Sequence, residues 1–299
     1  MEFGAVLAGG GPPVVLDGGL ATELEARGHD LPGDLWSARL LTDDPAAITA
    51  AHLAFFRAGA SIATTATYQA SFEGFAALGI ERRGTARLMR RGVELAVAAR
   101  ELVAGDGRER WIAASVGPYG AALADGSEYR GRYGLPVAAL AEWHRPRLEV
   151  LAGAGADILA LETVPDALEA EALVAALTGL DVPAWLSLTI AGGRTRAGQP
   201  LDEAYAVAAG VPEIVAVGVN CCDPDDVTEA IDVAARITAK PVIVYPNSGE
   251  SWAGGWHGPS RFSPGRAREW VGEGARAVGG CCRVSPSDIA SMARTLAVR

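Results

Sequence analysis

Short apolar runs recur along the chain at residues 14–16, 61–67, 111–116, 158–161, 184–190, 215–219, 242–245 and 277–278. Each is apolar at nearly every position, the pattern of a strand buried on both faces. Between them lie Ala-, Leu- and Arg-rich stretches at 46–58, 81–103, 136–152, 166–177, 201–209, 224–238, 264–272 and 285–298, which predict helices. The first follows Thr42-Asp43-Asp44-Pro45, an N-cap signal, and Gly59, Gly105 and Gly153 fall near helix ends. Eight strands alternating with eight helices predict a (β/α)8 barrel. A doubly wound sheet is the alternative, but no Gly-x-Gly-x-x-Gly follows a strand; the first run leads into Asp17-Gly18-Gly19. No Pro/Ser-rich linker divides the chain, so one barrel domain over residues 1–299 is expected.

A barrel of this kind carries its chemistry in the loops after the C-terminal ends of the strands. Unusual polar residues line up there: Asp17 after the first run, Tyr68 and Gln69 after the second, and Glu162 after the fourth. Asn220 and Cys221 follow the sixth, Tyr245 and Asn247 the seventh, and Cys281 and Cys282 the eighth.

Composition narrows the partners. With 26 basic and 36 acidic residues the net charge is 26 − 36 = −10, which argues against a nucleic-acid or anionic-membrane surface. Of the basic residues only Lys240 is a lysine. The apolar runs fall well short of the ~18 residues of a membrane span, and the first eleven residues do not read as a signal peptide. Four cysteines in two adjacent pairs, Cys221-Cys222 and Cys281-Cys282, do not read as a disulfide framework; thiols in a reducing cytoplasm are expected.

Those pairs are the strongest chemical signal. Strands six and eight are two apart in a barrel, so their ends flank one mouth. Three thiolates converging there, with a fourth position open, suit zinc that binds a substrate atom. The alternative is two pairs of small buried hydrophobes.

At these residues the chain resembles the homocysteine S-methyltransferases, over roughly 14 to 296. The marks are Leu16-Asp17-Gly18-Gly19, Leu35-Trp36-Ser37-Ala38, Thr67-Tyr68-Gln69-Ala70-Ser71 and Ser115-Val116-Gly117-Pro118-Tyr119-Gly120. They continue with the stretch 124–131, Glu162-Thr163, Gly218-Val219-Asn220-Cys221, Tyr245-Pro246-Asn247-Ser248-Gly249-Glu250 and Gly279-Gly280-Cys281-Cys282. The third and seventh loops look like the branch that uses S-methylmethionine rather than betaine. The resemblance implies zinc held by Cys221, Cys281 and Cys282 with the substrate thiol as fourth ligand. It further implies methyl transfer from a sulfonium to L-homocysteine, giving L-methionine, with S-adenosylmethionine a possible second donor. It places Asp17 and Glu162 near the homocysteine amino group. Two carboxylates can hold an ammonium, and the Gly18-Gly19 backbone can offer N–H groups to the carboxylate. Tyr68 is a further substrate-binding candidate.

For each of these an ordinary role stands beside the chemical one. Asp17 can cap a helix, Glu162 can close a surface ion pair, and Asn220 can be a turn residue rather than a support for the metal ligand. The loop 117–134 is long and carries Tyr119, Tyr129 and Tyr133 with Asp125 and Glu128. With Tyr245, Trp252, Trp256 and Trp36 it reads either as a lid over a sulfonium or as aromatic packing. His52 and His144 fall in helices and read as structural; His29 carries no clear signal, and His257 lies in the seventh loop, within reach of the mouth as a minor alternative.

The rivals are a lyase or aldolase and a redox-sensing protein. A Schiff-base aldolase needs a lysine, and Lys240 precedes the seventh strand on the wrong face. A redox sensor would explain the cysteines but not Asp17 and Glu162. The expected partners are small molecules alone, for a monomer or small homo-oligomer. Adjacent strand residues point to opposite faces, so Cys221 and Cys222 are not both expected to reach one metal; the resemblance assigns the metal to Cys221, which leaves Cys222 to pack.

Overall fold

The computed structural model describes residues 2–31 and 35–298. Eight strands form one parallel sheet: β1 (Val14–Val15), β2 (Ile62–Thr64), β3 (Trp111–Val116), β4 (Ile158–Val164), β5 (Ala184–Leu188), β6 (Ile214–Asn220), β7 (Val242–Tyr245) and β8 (Ala275–Val278). Each pairs with the next in sequence from β2 to β8, and β8 pairs with β1. The seam between β1 and β2 is bridged by Ser61 N–H donating to Val15 O at 2.7 Å. The (β/α)8 barrel is therefore what the structure shows.

Side-chain alternation builds two cores. Val14, Leu16, Trp111, Ala113, Ile158, Ala160, Trp185, Ala216, Ile243 and Ala277 fill the barrel interior. Their neighbours Val15, Ile112, Ala114, Leu159, Leu186, Val217, Val244 and Val278 face the helices. A helix at Phe3–Ala8 adds Phe3 and Leu7 to the interior core. Phe3 packs against Trp111 and Trp185 at ring separations of 5.5 and 6.1 Å, opposite the strand ends that carry the site.

The outer helices follow the expected stretches closely, as in Pro45–Ala58, Arg82–Glu101, Val137–Ala152, Ala167–Leu177 and Val227–Thr238. The first is capped by Asp44, whose side chain accepts Ala47 N–H, and ends on Gly59 at φ 114°. The expected strand at 61–67 stops at Thr64, because Thr65 and Thr67 turn their hydroxyls onto each other at 2.7 Å. Short helices at Leu20–Ala26, Trp36–Asp43, Phe72–Ala77 and Tyr119–Leu123 lie in segments that carry no helix signal in sequence. Among the described residues no helix is long and apolar enough to cross a membrane.

Register sets the level at which the loops leave the barrel. Asn220 pairs with Tyr245 across β6–β7, and Val244 pairs with Val278 across β7–β8. The residues just beyond these pairs therefore emerge side by side.

Candidate active site

Those residues are Cys221, Pro246-Asn247 and Gly279–Cys282, and backbone bonds lace them together. Cys221 N–H donates to Tyr245 O at 3.3 Å, and Cys281 N–H donates to Pro246 O at 2.8 Å. Asn247 ties both cysteine pairs: its N–H donates to Cys222 O at 3.0 Å, and its side-chain oxygen accepts Cys282 N–H at 3.1 Å. The glycines before the cysteines permit this closeness. A Cβ on Gly279 would stand 2.6 Å from Leu16 Cβ, and one on Gly218 would strike the Ile243 carbonyl. The need here is space rather than a left-handed backbone.

Three sulfurs meet as a result. Cys221 Sγ lies 2.8 Å from Cys281 Sγ and 3.8 Å from Cys282 Sγ. Thiol donation from Cys281 and Cys282 holds Cys221 well below an ordinary thiol and pushes the two donors up. The set fits zinc: tetrahedral bonds of about 2.3 Å put sulfurs roughly 3.8 Å apart. The Cys221–Cys282 pair stands at that spacing, and three thiols within 4.8 Å of one another are the soft donors such an ion takes.

Cys222 points elsewhere. It is fully buried in the core between sheet and helices, and burial raises its thiol further. Cys221 takes φ 49°, so the divergence of the two side chains comes from a left-handed kink beyond β6 and not from strand alternation.

Two buried carboxylates line the same cavity. Asp17 accepts Thr64 N–H at 2.6 Å and Thr64 Oγ1–H at 3.0 Å. Glu162 accepts the Ser115 hydroxyl, and Tyr245 hydrogen-bonds it as well. Burial pushes Asp17 up to about 7 and Glu162 up to about 8. Neither meets a cation: among the described residues lining the cavity there is no Lys, Arg or His. Asp17 is not the helix cap, since the helix Leu20–Ala26 starts from Gly19, and among the described residues Glu162 closes no ion pair.

Gly18 and Gly19 line the same cavity, but the Gly19 N–H is already donated to Val284 O at 2.9 Å. Their bareness serves contact between the first and eighth loops, since a Cβ on either would strike a carbonyl oxygen of Val284 or Cys281. Leu20, Ala21 and Thr22 also line the cavity; they form the first turn of the helix, where N–H groups have no partner within a helix.

Tyr68 lines the cavity and packs on Gly117, where a Cβ would come within 2.8 Å of the ring. Asn220 stands behind the wall. Its oxygen accepts Thr163 N–H at 2.7 Å and its nitrogen donates to Thr163 Oγ1 at 2.8 Å. It thereby holds Thr163, which lines the cavity at φ 59°. Ser115 and Thr163 stand in the family motifs and Thr64 in an apolar run, but none is singled out there; cross-strand adjacency gives them a task.

The aromatic lid is smaller than expected. Tyr68, Tyr129 and Tyr245 line the cavity, and the Tyr129 hydroxyl reaches Cys221 Sγ at 3.5 Å. Tyr119 and Tyr133 pack with each other and on Glu169, which accepts Tyr119 N–H and the Tyr133 hydroxyl. Trp252 and Trp256 pair with each other on a hairpin away from the cavity wall, with His257 exposed beside them. The side chain of Trp36 lies outside the described residues. His52 and His144 are fully buried on helices; burial lowers both, His52 to about 4.

Comparison with known proteins follows the same lines. The family model for homocysteine S-methyltransferase matches residues 14–296. The chain is 44% identical to homocysteine S-methyltransferase of Escherichia coli K12, over 93% of this chain and 94% of that one. It is 42% identical to homocysteine S-methyltransferase YbgG of Bacillus subtilis, over 95% and 96%. The metallated crystal structure of the homocysteine methyltransferase MmuM from Escherichia coli superposes with a TM-score of 0.87 at 42% identity, covering 95% of this chain and 96% of that one. With its fold, its cysteine cluster and these likenesses in hand, the chain belongs to the homocysteine S-methyltransferase family.

Proposed function

We propose that this chain transfers a methyl group from a sulfonium donor, S-methylmethionine, to the thiol of L-homocysteine, giving L-methionine. The observation that carries the reading is one cavity lined by both sets: three cysteine sulfurs and two buried carboxylates without a cation. Cys221, Cys281 and Cys282 would hold zinc. An ion held by them would lower the pKa of a bound thiol, which otherwise lies near 8.5, and would thereby supply a nucleophilic substrate sulfur at neutral pH.

Asp17 and Glu162 take the homocysteine ammonium by charge-assisted hydrogen bonds, which return both carboxyls toward their ordinary range. The first turn of the helix Leu20–Ala26 offers N–H groups to the substrate carboxylate. Tyr68 and Tyr129 close the cavity over the sulfurs and keep water out. A sulfonium departs as a neutral thioether, so no residue need act as a general acid; the residues align donor and acceptor sulfurs about the methyl carbon. Cys222 is a packing residue and Asn220 a support for Thr163. The whole chain acts as one barrel domain in a reducing cytoplasm, as a monomer or small homo-oligomer.

The test is methionine formation from homocysteine with S-methylmethionine, S-adenosylmethionine and glycine betaine offered separately. The reading expects the highest kcat/KM with S-methylmethionine. Faster turnover with betaine overturns the donor, and no turnover with any of the three overturns the activity.

A further inference from the structure

Loop 117–134 leaves the barrel after β3 and returns over the sulfur cluster, where Tyr129 lines the cavity with its hydroxyl 3.5 Å from Cys221 Sγ. The loop holds no strand, so no ladder of backbone bonds fixes its course. The entropy lost in ordering it must be offset by particular contacts.

Those contacts converge on the start of one helix, Ala167–Leu177, which follows β4. Glu169, in its first turn, is fully buried and does not line the cavity. Its Oε1 accepts Tyr119 N–H at 2.5 Å, and its Oε2 accepts the Tyr133 hydroxyl at 3.1 Å. His144 Nε2, on the neighbouring helix Val137–Ala152, stands 3.0 Å from the same Oε1. Asp166 caps the helix by accepting Leu168 N–H, and its other oxygen accepts Arg132 N–H at 2.9 Å. The two acids thus grip the loop at residue 119 and at residues 132 and 133, on either side of Tyr129.

Between the grips the chain packs on itself. A Cβ on Gly120 would stand 2.5 Å from Glu128 N and 2.8 Å from the Tyr133 hydroxyl oxygen, so the turn Ser127–Tyr129 lies directly against the anchored segment. The Tyr119 ring meets Tyr133 at 5.2 Å and Trp143 at 5.0 Å. Apolar packing alone would bury this ground without desolvating a carboxylate. Directional bonds to both Glu169 oxygens add a single position for the loop.

We infer that Glu169 is a positioning residue for methyl transfer: through the Tyr119 amide and the Tyr133 hydroxyl it holds Tyr129 over the cysteine sulfurs. The kinetic consequence rests on the methyltransferase reading above; the anchoring of the loop does not.

The experiment is a double-mutant cycle on the zinc-loaded protein, read by steady-state kinetics with homocysteine and S-methylmethionine and by hydrogen exchange across residues 117–134. Tyr133→Phe removes one hydroxyl and keeps the ring on Tyr119. It is expected to lower kcat about tenfold, the size of one buried hydrogen bond, with zinc retained and the KM for homocysteine unchanged. Exchange at Ser127–Tyr129 should quicken by about the same factor. In a Tyr129→Ala background the same change should cost less than about twofold more in kcat, because the ring it positions is gone. Glu169→Ala should lose more than Tyr133→Phe, and Glu169→Gln, which can still accept Tyr119 N–H and meet the Tyr133 hydroxyl, should recover most of that loss. Tyr133→Phe carries the test if the alanine variant folds poorly. Additive losses in the cycle overturn the inference, as does wild-type kcat in Tyr133→Phe. A wild type that turns over with no donor contradicts the methyltransferase reading; exchange then decides the anchoring, with faster exchange in Tyr133→Phe supporting it and unchanged exchange overturning it.

Discussion

The two walls of the cavity are made of different materials. On the β6–β8 side the reactive groups are soft thiols, and their placement comes from backbone: Asn247, the Pro246 and Tyr245 carbonyls, and glycines that let chains touch. On the β1–β4 side the groups are hard carboxylates, and their placement comes from hydroxyls and one amide: Thr64 for Asp17, Ser115 and the β7 residue Tyr245 for Glu162. Both walls are incomplete in opposite senses. Three thiols within 4.8 Å share protons that a metal would displace. The carboxylates are held above their ordinary range by burial and await a cation. Neither wall is explained by stability of the empty protein, and the difference separates a metal function from an amino-acid function.

Breaking the sulfur wall should have the largest effect. Cys221→Ala, Cys281→Ala and Cys282→Ala are each expected to lose most zinc and at least about 1000-fold in methyl transfer, because two thiolates hold the ion far more weakly. Elemental analysis beside an activity assay reads both. Retention of zinc by any one of the three would remove that residue from the ligand set.

Breaking the carboxylate wall should spare the metal. Asp17→Asn and Glu162→Gln are expected to keep one zinc per chain while kcat/KM for homocysteine falls about 100-fold, the value of one buried ammonium contact. These substitutions should also stabilise the substrate-free protein. Asp17 is raised from 3.8 to about 7, so the folded state holds its proton more tightly than the unfolded chain does. The penalty for burying its charge is therefore absent below pH ~4, grows as pH rises to about 7, and is full above that. Thermal melting should show Asp17→Asn level with the wild type near pH 4 and above it at pH 8, by roughly 2 kcal/mol after loss of part of the Thr64 bonding. A lower melting point at pH 8 would mean that the Thr64 hydrogen bonds outweigh the buried charge.

Asn220 sharpens the comparison because it serves neither wall directly. Asn220→Ala leaves Thr163 unsupported at a left-handed φ of 59° next to Glu162 and Cys221. A loss of about tenfold in kcat with zinc retained is expected, since two buried hydrogen bonds disappear. Loss of zinc instead would place Asn220 with the sulfur wall.

The smallest effect belongs to Cys222, one residue from the largest. Cys222→Ala should keep zinc and most activity, with roughly 1 kcal/mol of stability lost from the core it packs in. Denaturant unfolding measures the change.

What could be read from residues alone follows this division. The strands were legible because burial on both faces leaves an uninterrupted apolar signature, from Trp111–Val116 to Val242–Tyr245. The cysteines, Asp17 and Glu162 were legible because such residue types are rare at strand ends. The tasks of Thr64, Ser115 and Thr163 were not, even where a family motif includes the residue, since a hydroxyl in a strand has meaning only once its neighbour across the sheet is known. The split between Cys221 and Cys222 was expected from strand alternation, but the structure achieves it with the kink at φ 49°. The expected lid over-counted rings, because sequence distance along a loop does not tell Tyr129, over the sulfurs, from Trp252, exposed on its hairpin. The helix at Phe3–Ala8 went unassigned because its period is too short to register, although Phe3 and Leu7 join the interior core.

The most direct test of a zinc site joined to a homocysteine site is a metal titration of the chelator-stripped protein. Zinc is added in steps, and bound metal and methionine formation from homocysteine and S-methylmethionine are measured on the same samples. Activity is expected to rise in proportion to bound zinc and to level off at one ion per chain. Full activity in protein that holds almost no zinc would contradict the account.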